Sequence, residues 1–243
     1  MWNTKWKGAS AESIGPLHIK QKLPMQDSHS LFLSKKYFVA AVSDGLGSKS
    51  HSDFGSRIAC RLFVKLAKNW VSKQNKTIEV FISGFVEKWI SEIKKASYEI
   101  RDCSATFLGV IYCQKEIYLF QLGDGMISCL FDDKSKNLVL SDSKDESFSN
   151  MTKSLKENVS PNDWIIKRIS AEDLKSVFLC TDGISDDLQK GADISFVTEL
   201  TEQYLLKNSR KIKKDMNNWI SHWPVPRHSD DKTAVFICRK DKV

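Results

Sequence analysis

The chain has no apolar run approaching the ~20 residues that a bilayer span requires. The opening Met1-Trp-Asn-Thr-Lys-Trp-Lys7 carries charge with no apolar stretch behind it, so neither a membrane anchor nor a secretory leader is expected. Its six cysteines (Cys60, Cys103, Cys113, Cys129, Cys180 and Cys238) form no C-x-x-C pair. Most lie inside apolar runs, which points to buried reduced thiols rather than disulfides or zinc ligands. No cysteine heads a C-x5-R sequence, and H-x-H and H-E-x-x-H are also missing. These absences count against thiolate attack on phosphate and against zinc chemistry. No domain linker divides the 243 residues, so a single domain over 1–243 in a cytoplasmic protein is expected.

What is present supports a large core: 41% of residues are hydrophobic and 10% aromatic. The net charge of +7 is carried by lysines that are scattered as well as clustered. A solvated basic surface therefore accounts for it better than a nucleic-acid site, for which no recognition motif is found.

Residues 1–30 read as polar and irregular. Leu31 to Val42 reads as two strands flanking Ser34-Lys35-Lys36. The spacing of Ile58, Leu62, Phe63, Leu66 and Trp70 predicts an amphipathic helix from Phe54 to about Lys73. A second helical stripe, Ile78, Phe81, Ile82, Phe85, Trp89, Ile90, Ile93 and Ala96, runs from Thr77 to about Tyr98. Cys103–Cys113, Glu116–Leu122, Met126–Phe131 and Leu138–Leu140 read as strands, joined in antiparallel hairpins because the gaps are too short for helical crossovers. Ser141 to Asp163 is polar and without periodicity, which predicts a long surface excursion, a kind of loop that often lies over a site. A strand at Leu174–Cys180, helices near 194–206 and 212–223, and a last strand at Thr233–Cys238 complete the reading.

Three apolar runs end in Asp-Gly or Gly-Asp-Gly: Tyr37–Val42 before Ser43-Asp44-Gly45, Ile117–Leu122 before Gly123-Asp124-Gly125, and Val177–Cys180 before Thr181-Asp182-Gly183. Asp230-Asp231 directly precedes the last strand. One Asp-Gly is adequately explained as a turn, since Asp bonds its own backbone and Gly accepts positive φ. Four such sites at strand ends would instead gather carboxylates whose repulsion calls for cations. All-oxygen donors select hard ions such as Mg²⁺ or Mn²⁺. Two such ions can activate water and stabilise an in-line displacement at phosphorus, so phosphomonoester hydrolysis is the chemistry suggested.

The ordered set Gln26-Asp27-Ser28, Ser43-Asp44-Gly45-Leu46-Gly47 with Gly55-Ser56, Ser104-Ala105-Thr106, Leu122-Gly123-Asp124, Thr181-Asp182-Gly183-Ile184-Ser185-Asp186 and Asp230-Asp231-Lys232-Thr233 resembles the PP2C-type metal-dependent protein serine/threonine phosphatases. The short length and the Leu-Pro-Met-Gln-Asp opening are similar to the compact bacterial branch, and the match spans about Gly15 to Ile237. The resemblance implies an α+β fold, a four-layer α-β-β-α sandwich with two central antiparallel sheets flanked by helices. It implies Asp44 as the bridging ligand of two Mn²⁺ or Mg²⁺ ions, with the Gly45 carbonyl on one of them. Asp182 and Asp230 would complete the second ion, and Asp27 would act near them through water. Asp124 and Asp186 match positions associated with a third, weaker ion, in which Asp182 can share. Attack by a hydroxide held between the metals, with no covalent intermediate, is implied, as are phosphorylated protein substrates, a cognate serine/threonine kinase, a monomer, and no nucleic-acid or membrane partner.

The sequence also departs from that pattern. Lys22 stands where many members carry an arginine, and a lysine lacks the bidentate fork, so Lys22 and Lys20 are both candidates for gripping the phosphate. Cys103-Ser104 replaces the usual Gly-led motif. Leu46 stands where relatives often have a histidine proposed as general acid. His51 fits a surface or helix-capping role better than that of an acid, and His18 precedes the Gln-Asp pair. Such departures also suit an alternative, a catalytically weak module of the same fold that binds phosphoproteins or regulates.

Overall fold

The computed structural model describes residues 5–73, 77–141 and 153–240. Two five-stranded antiparallel sheets stack face to face. One has the order β1 (Trp6–Ser13), β10 (Lys232–Arg239), β9 (Leu174–Cys180), β6 (Met126–Phe131), β7 (Leu138–Ser141). The other has the order β2 (Ser28–Leu33), β3 (Phe38–Ser43), β4 (Phe107–Cys113), β5 (Glu116–Leu122), β8 (Ile165–Ser170). Helices α2 (Ser52–Lys73) and α3 (Ile78–Lys95) cover the second sheet, while α5 (Asp193–Tyr204) and α6 (Ser209–Ser221) cover the first. Two short helices, α1 (Pro16–Gln21) and α4 (Asp182–Ser185), sit at strand ends. This is the expected α+β, α-β-β-α architecture.

The strand sequences dictate it. Side chains on a strand alternate between faces, and here both faces are covered. In β3, Val39 and Ala41 pack under α2 and α3, whereas Phe38, Ala40 and Val42 enter the space between the sheets. In β4 the split is Phe107 and Ile111 against Leu108, Val110 and Tyr112. Across the other sheet, Val177, Leu179, Val235 and Ile237 meet that central layer, and Phe178, Ala234 and Phe236 face α5 and α6. Double coverage turns a strand from an alternating pattern into a continuous apolar run, which is how the central strands read in the sequence.

Within the helical cover, Phe63 of α2 lies 5.0–5.7 Å, ring to ring, from Phe81, Phe85, Phe107 and Phe120. Gly109 of β4 leaves the room it needs, since a Cβ there would come within 2.7 Å of the Phe63 ring.

The structure revises several sequence expectations. Residues 6–13 and 16–21 form β1 and α1 rather than irregular chain, and residues 165–170 form β8. Only two of the expected hairpins form in the 107–141 region. β4 and β5 turn through Gln114 and Lys115, both at positive φ, and β6 pairs with β7. Between them β5 and β6 do not pair, because Gly123-Asp124-Gly125 carries the chain from one sheet to the other. Of the predicted 141–163 excursion, residues 142–152 lie outside the described part. Its returning arm is packed inward: Leu155 is buried, and its N–H donates to the Ala105 carbonyl at 2.8 Å.

Candidate metal centre

At one end of the stacked sheets, strand ends from both converge. Asp27 precedes β2 and Asp44 follows β3, and the pairing of Ser28 with Ser43 sets them side by side. Asp182 follows β9 and Asp230 precedes β10, neighbours because Cys180 pairs with Ala234. Asp124 sits on the crossing between the sheets, flanked by Gly123 at φ 89° and Gly125 at φ 95°. Positive φ on either side is a conformation that glycine adopts freely and other residues rarely do. The carboxylate oxygens of Asp44, Asp124 and Asp182 come within 4.8 Å of one another, each residue half-buried.

Each carboxylate is held by a local device. The segment Ser104-Ala105-Thr106 clamps the Asp44 turn. The Thr106 N–H donates to the Asp44 carbonyl at 2.8 Å, Thr106 Oγ1 accepts from the Asp44 N–H at 3.2 Å, and Ser43 Oγ donates to the Thr106 carbonyl at 2.5 Å. A Cβ on Gly45 would lie 2.8 Å from the Gln26 and Ser52 carbonyl oxygens, so the turn closes only around glycine. The Gly45 N–H donates to the Gln26 carbonyl at 3.1 Å, which ties the Asp44 turn to the segment bearing Asp27. Thr181 Oγ1 donates to Asp27 Oδ2 at 2.7 Å and accepts from the Thr233 N–H at 3.1 Å. Gly183 packs on the Asp231 carbonyl, where a Cβ would approach to 1.9 Å.

Asp231 does a different job from Asp230. Buried to 1% exposure, it accepts the Gly15 N–H on Oδ1 and the Gln26 N–H on Oδ2, both at 2.7 Å, and His18 Nδ1 lies 2.9 Å from Oδ2. It thereby ties the α1 turn and the Gln26-Asp27 segment to the start of β10. Sequence reasoning assigned a role to Asp230 and none to Asp231, and it placed Thr106, Thr181 and Lys232 in motifs without giving them a role. The adjacency of two aspartates before an apolar strand was the available signal, since side chains alternate in an extended chain. Lys232 is buried. Its Nζ donates to the Asp230 carbonyl at 3.1 Å and lies 3.2 Å from His228 Nδ1, and burial lowers its pKa.

Crowding leaves the carboxylates electrostatically poised. Burial, and then the charges of Asp231 and Asp182, push Asp27 up to about 8 against the lowering effect of its hydrogen bonds to Asp44 and Thr181. Burial and the charges of Asp27, Asp182 and Asp230 hold Asp44 well above the usual carboxylate range. Asp182 is raised to about 7, by burial first and then by Asp124, Asp230 and Asp186. All six carboxylates predicted from sequence therefore belong to one electrostatic cluster, with Asp186 and Asp230 on its exposed side. Hard, oxygen-only donors pushed together fit divalent cations such as Mn²⁺ or Mg²⁺ and do not fit softer metals.

The other sequence candidates fall around this cluster. Lys20 and Lys22 are exposed at the C-terminal end of α1, with Lys22 in the left-handed region at φ 57°. α1 is docked beside the site by the Leu17 N–H on the Ser229 carbonyl at 3.1 Å and by the Asp231 contacts. The His51 ring stacks on Tyr98 at 4.1 Å, its backbone N–H donates to the Asp102 carbonyl, and its own carbonyl accepts from the Phe54 N–H at the start of α2. The returning arm of the 141–163 excursion passes close by: a Cβ on Gly123 would lie 2.3 Å from the Lys153 carbonyl oxygen.

Comparison with known proteins agrees with this fold. Residues 14–223 match the family model described as Protein phosphatase 2C. No curated protein sequence matches the chain. A bacterial serine phosphatase has a similar structure, with a TM-score of 0.66 at 14% identity, the match covering 99% of this chain and all of that one. The S. agalactiae serine/threonine phosphatase matches with a TM-score of 0.65 at 15% identity, over 97% of this chain and all of that one. The catalytic domain of the serine/threonine protein phosphatase PstP, solved in complex with two manganese ions, matches with a TM-score of 0.62 at 13% identity, over 97% of this chain and 99% of that one.

Proposed function

The chain belongs to the protein phosphatase 2C family, and on that premise we propose that it hydrolyses phosphoserine and phosphothreonine in proteins with the help of Mn²⁺ or Mg²⁺. The observation that carries the reading is the approach of the Asp44, Asp124 and Asp182 carboxylates within 4.8 Å of one another. Asp44, the Gly45 carbonyl, Asp182 and Asp230 would hold a two-ion centre, and Asp124 and Asp186 with Asp182 would hold a third ion. Bound divalent ions supply activated water and charge neutralisation for an in-line displacement. No side-chain nucleophile is then required, and the cysteines suit none: all six are buried, and burial raises the thiols of Cys60 and Cys180 well above their ordinary value. Asp27, held by Thr181 and turned toward Asp44, would orient water at the centre. Lys20 and Lys22 supply positive charge for the phosphate from the end of α1. The substrates are phosphorylated proteins made by a serine/threonine kinase.

Hydrolysis of a phosphothreonine peptide with and without Mn²⁺ tests this. Turnover should depend on the metal and fall by at least ~100-fold in Asp44→Asn and in Asp182→Asn. Wild-type rates in either variant, or phosphopeptide binding with no metal-stimulated turnover, would sink it. In Lys22→Ala, KM should rise with little change in kcat if the lysine contributes uniform binding.

A further inference from the structure

The exposed lysines are not spread evenly. Residues 205–214 read Leu-Leu-Lys-Asn-Ser-Arg-Lys-Ile-Lys-Lys, with no acidic residue. α6 begins inside this segment, and its first turn carries no acid. Arg210, Lys211, Lys213 and Lys214 are all exposed, while Ile212, Met216 and Ile220 bury the opposite face. At 3.6 residues per turn the four cations share a solvent-facing arc of roughly 160°. None of the four forms an ion pair among the described residues, although nearby Lys207 is matched by Asp215.

This arrangement opposes two ordinary preferences. The N-terminal end of a helix carries partial positive charge, and cations there are unfavourable. Like charges three and four residues apart repel as well. Just ahead of the helix, Leu206 is 93% exposed, the most open large hydrophobic side chain among the described residues, with Ile19 next at 61%. This cationic cluster with a bare leucine at its edge has no ion-pair partner among the described residues, and Lys213 instead faces the His29 imidazole electrostatically.

We propose that this face is an interaction surface for an anionic lipid bilayer. The four cations lie against acidic headgroups, and Leu206 enters the interfacial region. Clustered Lys and Arg residues on a helix attract acidic lipid surfaces, and an adjacent apolar side chain adds burial that neither salt nor a purely ionic partner supplies. Binding of this kind needs no spanning segment, and no helix among the described residues is long and apolar enough to cross a membrane. The proposal departs from the expectation, drawn from the sequence, of no membrane partner.

Its placement leaves the carboxylate cluster accessible. The start of α6 is fixed to the start of β1: the Gly8 N–H donates to Ser209 Oγ at 3.2 Å, and Lys7 Nζ donates to the Leu205 carbonyl. Gly8 pairs with Ile237, whereas Ser13, at the other end of β1, pairs with Lys232 beside Asp230. Five residue steps separate Gly8 from Ser13, about 17 Å at ~3.4 Å per residue. The other end of α6 reaches the rim of the site, where Trp223 Nε1 donates to Asp187 Oδ2 at 2.7 Å. A bilayer held at Leu206 and Arg210 therefore lies toward the end of the sheet away from the aspartates, with Lys213, whose charge reaches His29, on the side nearer them.

Co-sedimentation of the full chain with phosphatidylcholine vesicles, with and without phosphatidylserine, tests the proposal. The protein should pellet with the mixed vesicles at low salt, remain soluble with pure phosphatidylcholine, and be released by high salt. Lys213→Gln with Lys214→Gln should lower partitioning about 30-fold. Leu206→Ser should lower it roughly tenfold without changing its salt dependence. Both variants should keep the wild-type far-UV spectrum and wild-type turnover of a soluble phosphopeptide. Failure to bind mixed vesicles, or equal binding by the double variant, would overturn the proposal. So would salt-sensitive binding to duplex DNA through the same lysines with no vesicle binding. Vesicle binding is read without turnover, so this result and the fate of the phosphatase reading are independent.

Discussion

The carboxyls of Asp230 and Asp231 are one residue apart, and the approach to β10 sends them to different environments. Asp231 points into the frame and accepts two backbone N–H groups at 2.7 Å. Asp230 stays on the exposed side and adds its charge to Asp44 and Asp182. Their replacements should therefore behave in opposite ways. Asp231→Ala leaves two buried donors without an acceptor, which should cost about 2–5 kcal/mol in urea unfolding with or without metal. Asp230→Ala removes a repulsive charge from the metal-free cluster, so its metal-free stability should equal or exceed wild type while the stabilisation by Mn²⁺ shrinks. If both variants lose the same stability and both keep the Mn²⁺ response, this division of roles is wrong. At this scale the sequence was legible wherever a residue type announces its chemistry: Asp44, Asp124 and Asp182 stood out because each follows an apolar run and adjoins a glycine. It was illegible where the role lies in what a side chain accepts, as with Asp231, or in which turn it clamps, as with Thr106.

Among the elements, those buried on both faces or striped at helical spacing could be read directly, and those whose order comes from a distant partner could not. β3, β4, β5, β9 and β10 are nearly continuous apolar runs because a sheet and a helix layer compete for their two faces. β1, Trp-Lys-Gly-Ala-Ser-Ala-Glu-Ser, has small and polar residues with weak strand preference. It becomes a strand by pairing along its whole length with β10, more than 200 positions away. The six-residue α1 is too short to show a period, and β8 is an edge strand with one partner and mostly exposed side chains. α2 was legible because its stripe includes Phe63, which sits among four other phenylalanine rings. Phe63→Ala should cost about 3–5 kcal/mol, measured as a lower urea midpoint with an unchanged slope. A loss below ~1 kcal/mol would show that α2 is held by something other than this cluster.

For the molecule as a whole, the two sheets, the helices and the strand-end turns are built around a group of charges that destabilises the metal-free fold. Asp27, Asp44 and Asp182 are raised from an ordinary carboxylate value of 3.8. The metal-free folded state therefore holds protons that the unfolded chain has already released. A raised carboxylate contributes no penalty while both states are protonated; the penalty grows above the unfolded value and is complete once pH exceeds the folded one. With Asp182 at about 7 and Asp27 at about 8, metal-free stability should fall as pH rises from about 5.5 to 8.5, by roughly 2–5 kcal/mol. Divalent cations compete with those protons for the same oxygens and should release them on binding. Saturating Mn²⁺ should thus raise the melting temperature more at the alkaline end of this range than at the acidic end, and calorimetry in buffers of different ionisation enthalpy should register the released protons. A metal-free stability that stays flat across the range, or a Mn²⁺ shift that is the same at both ends, would mean that the carboxylates relax apart in solution and that the cluster is not held poised by the fold.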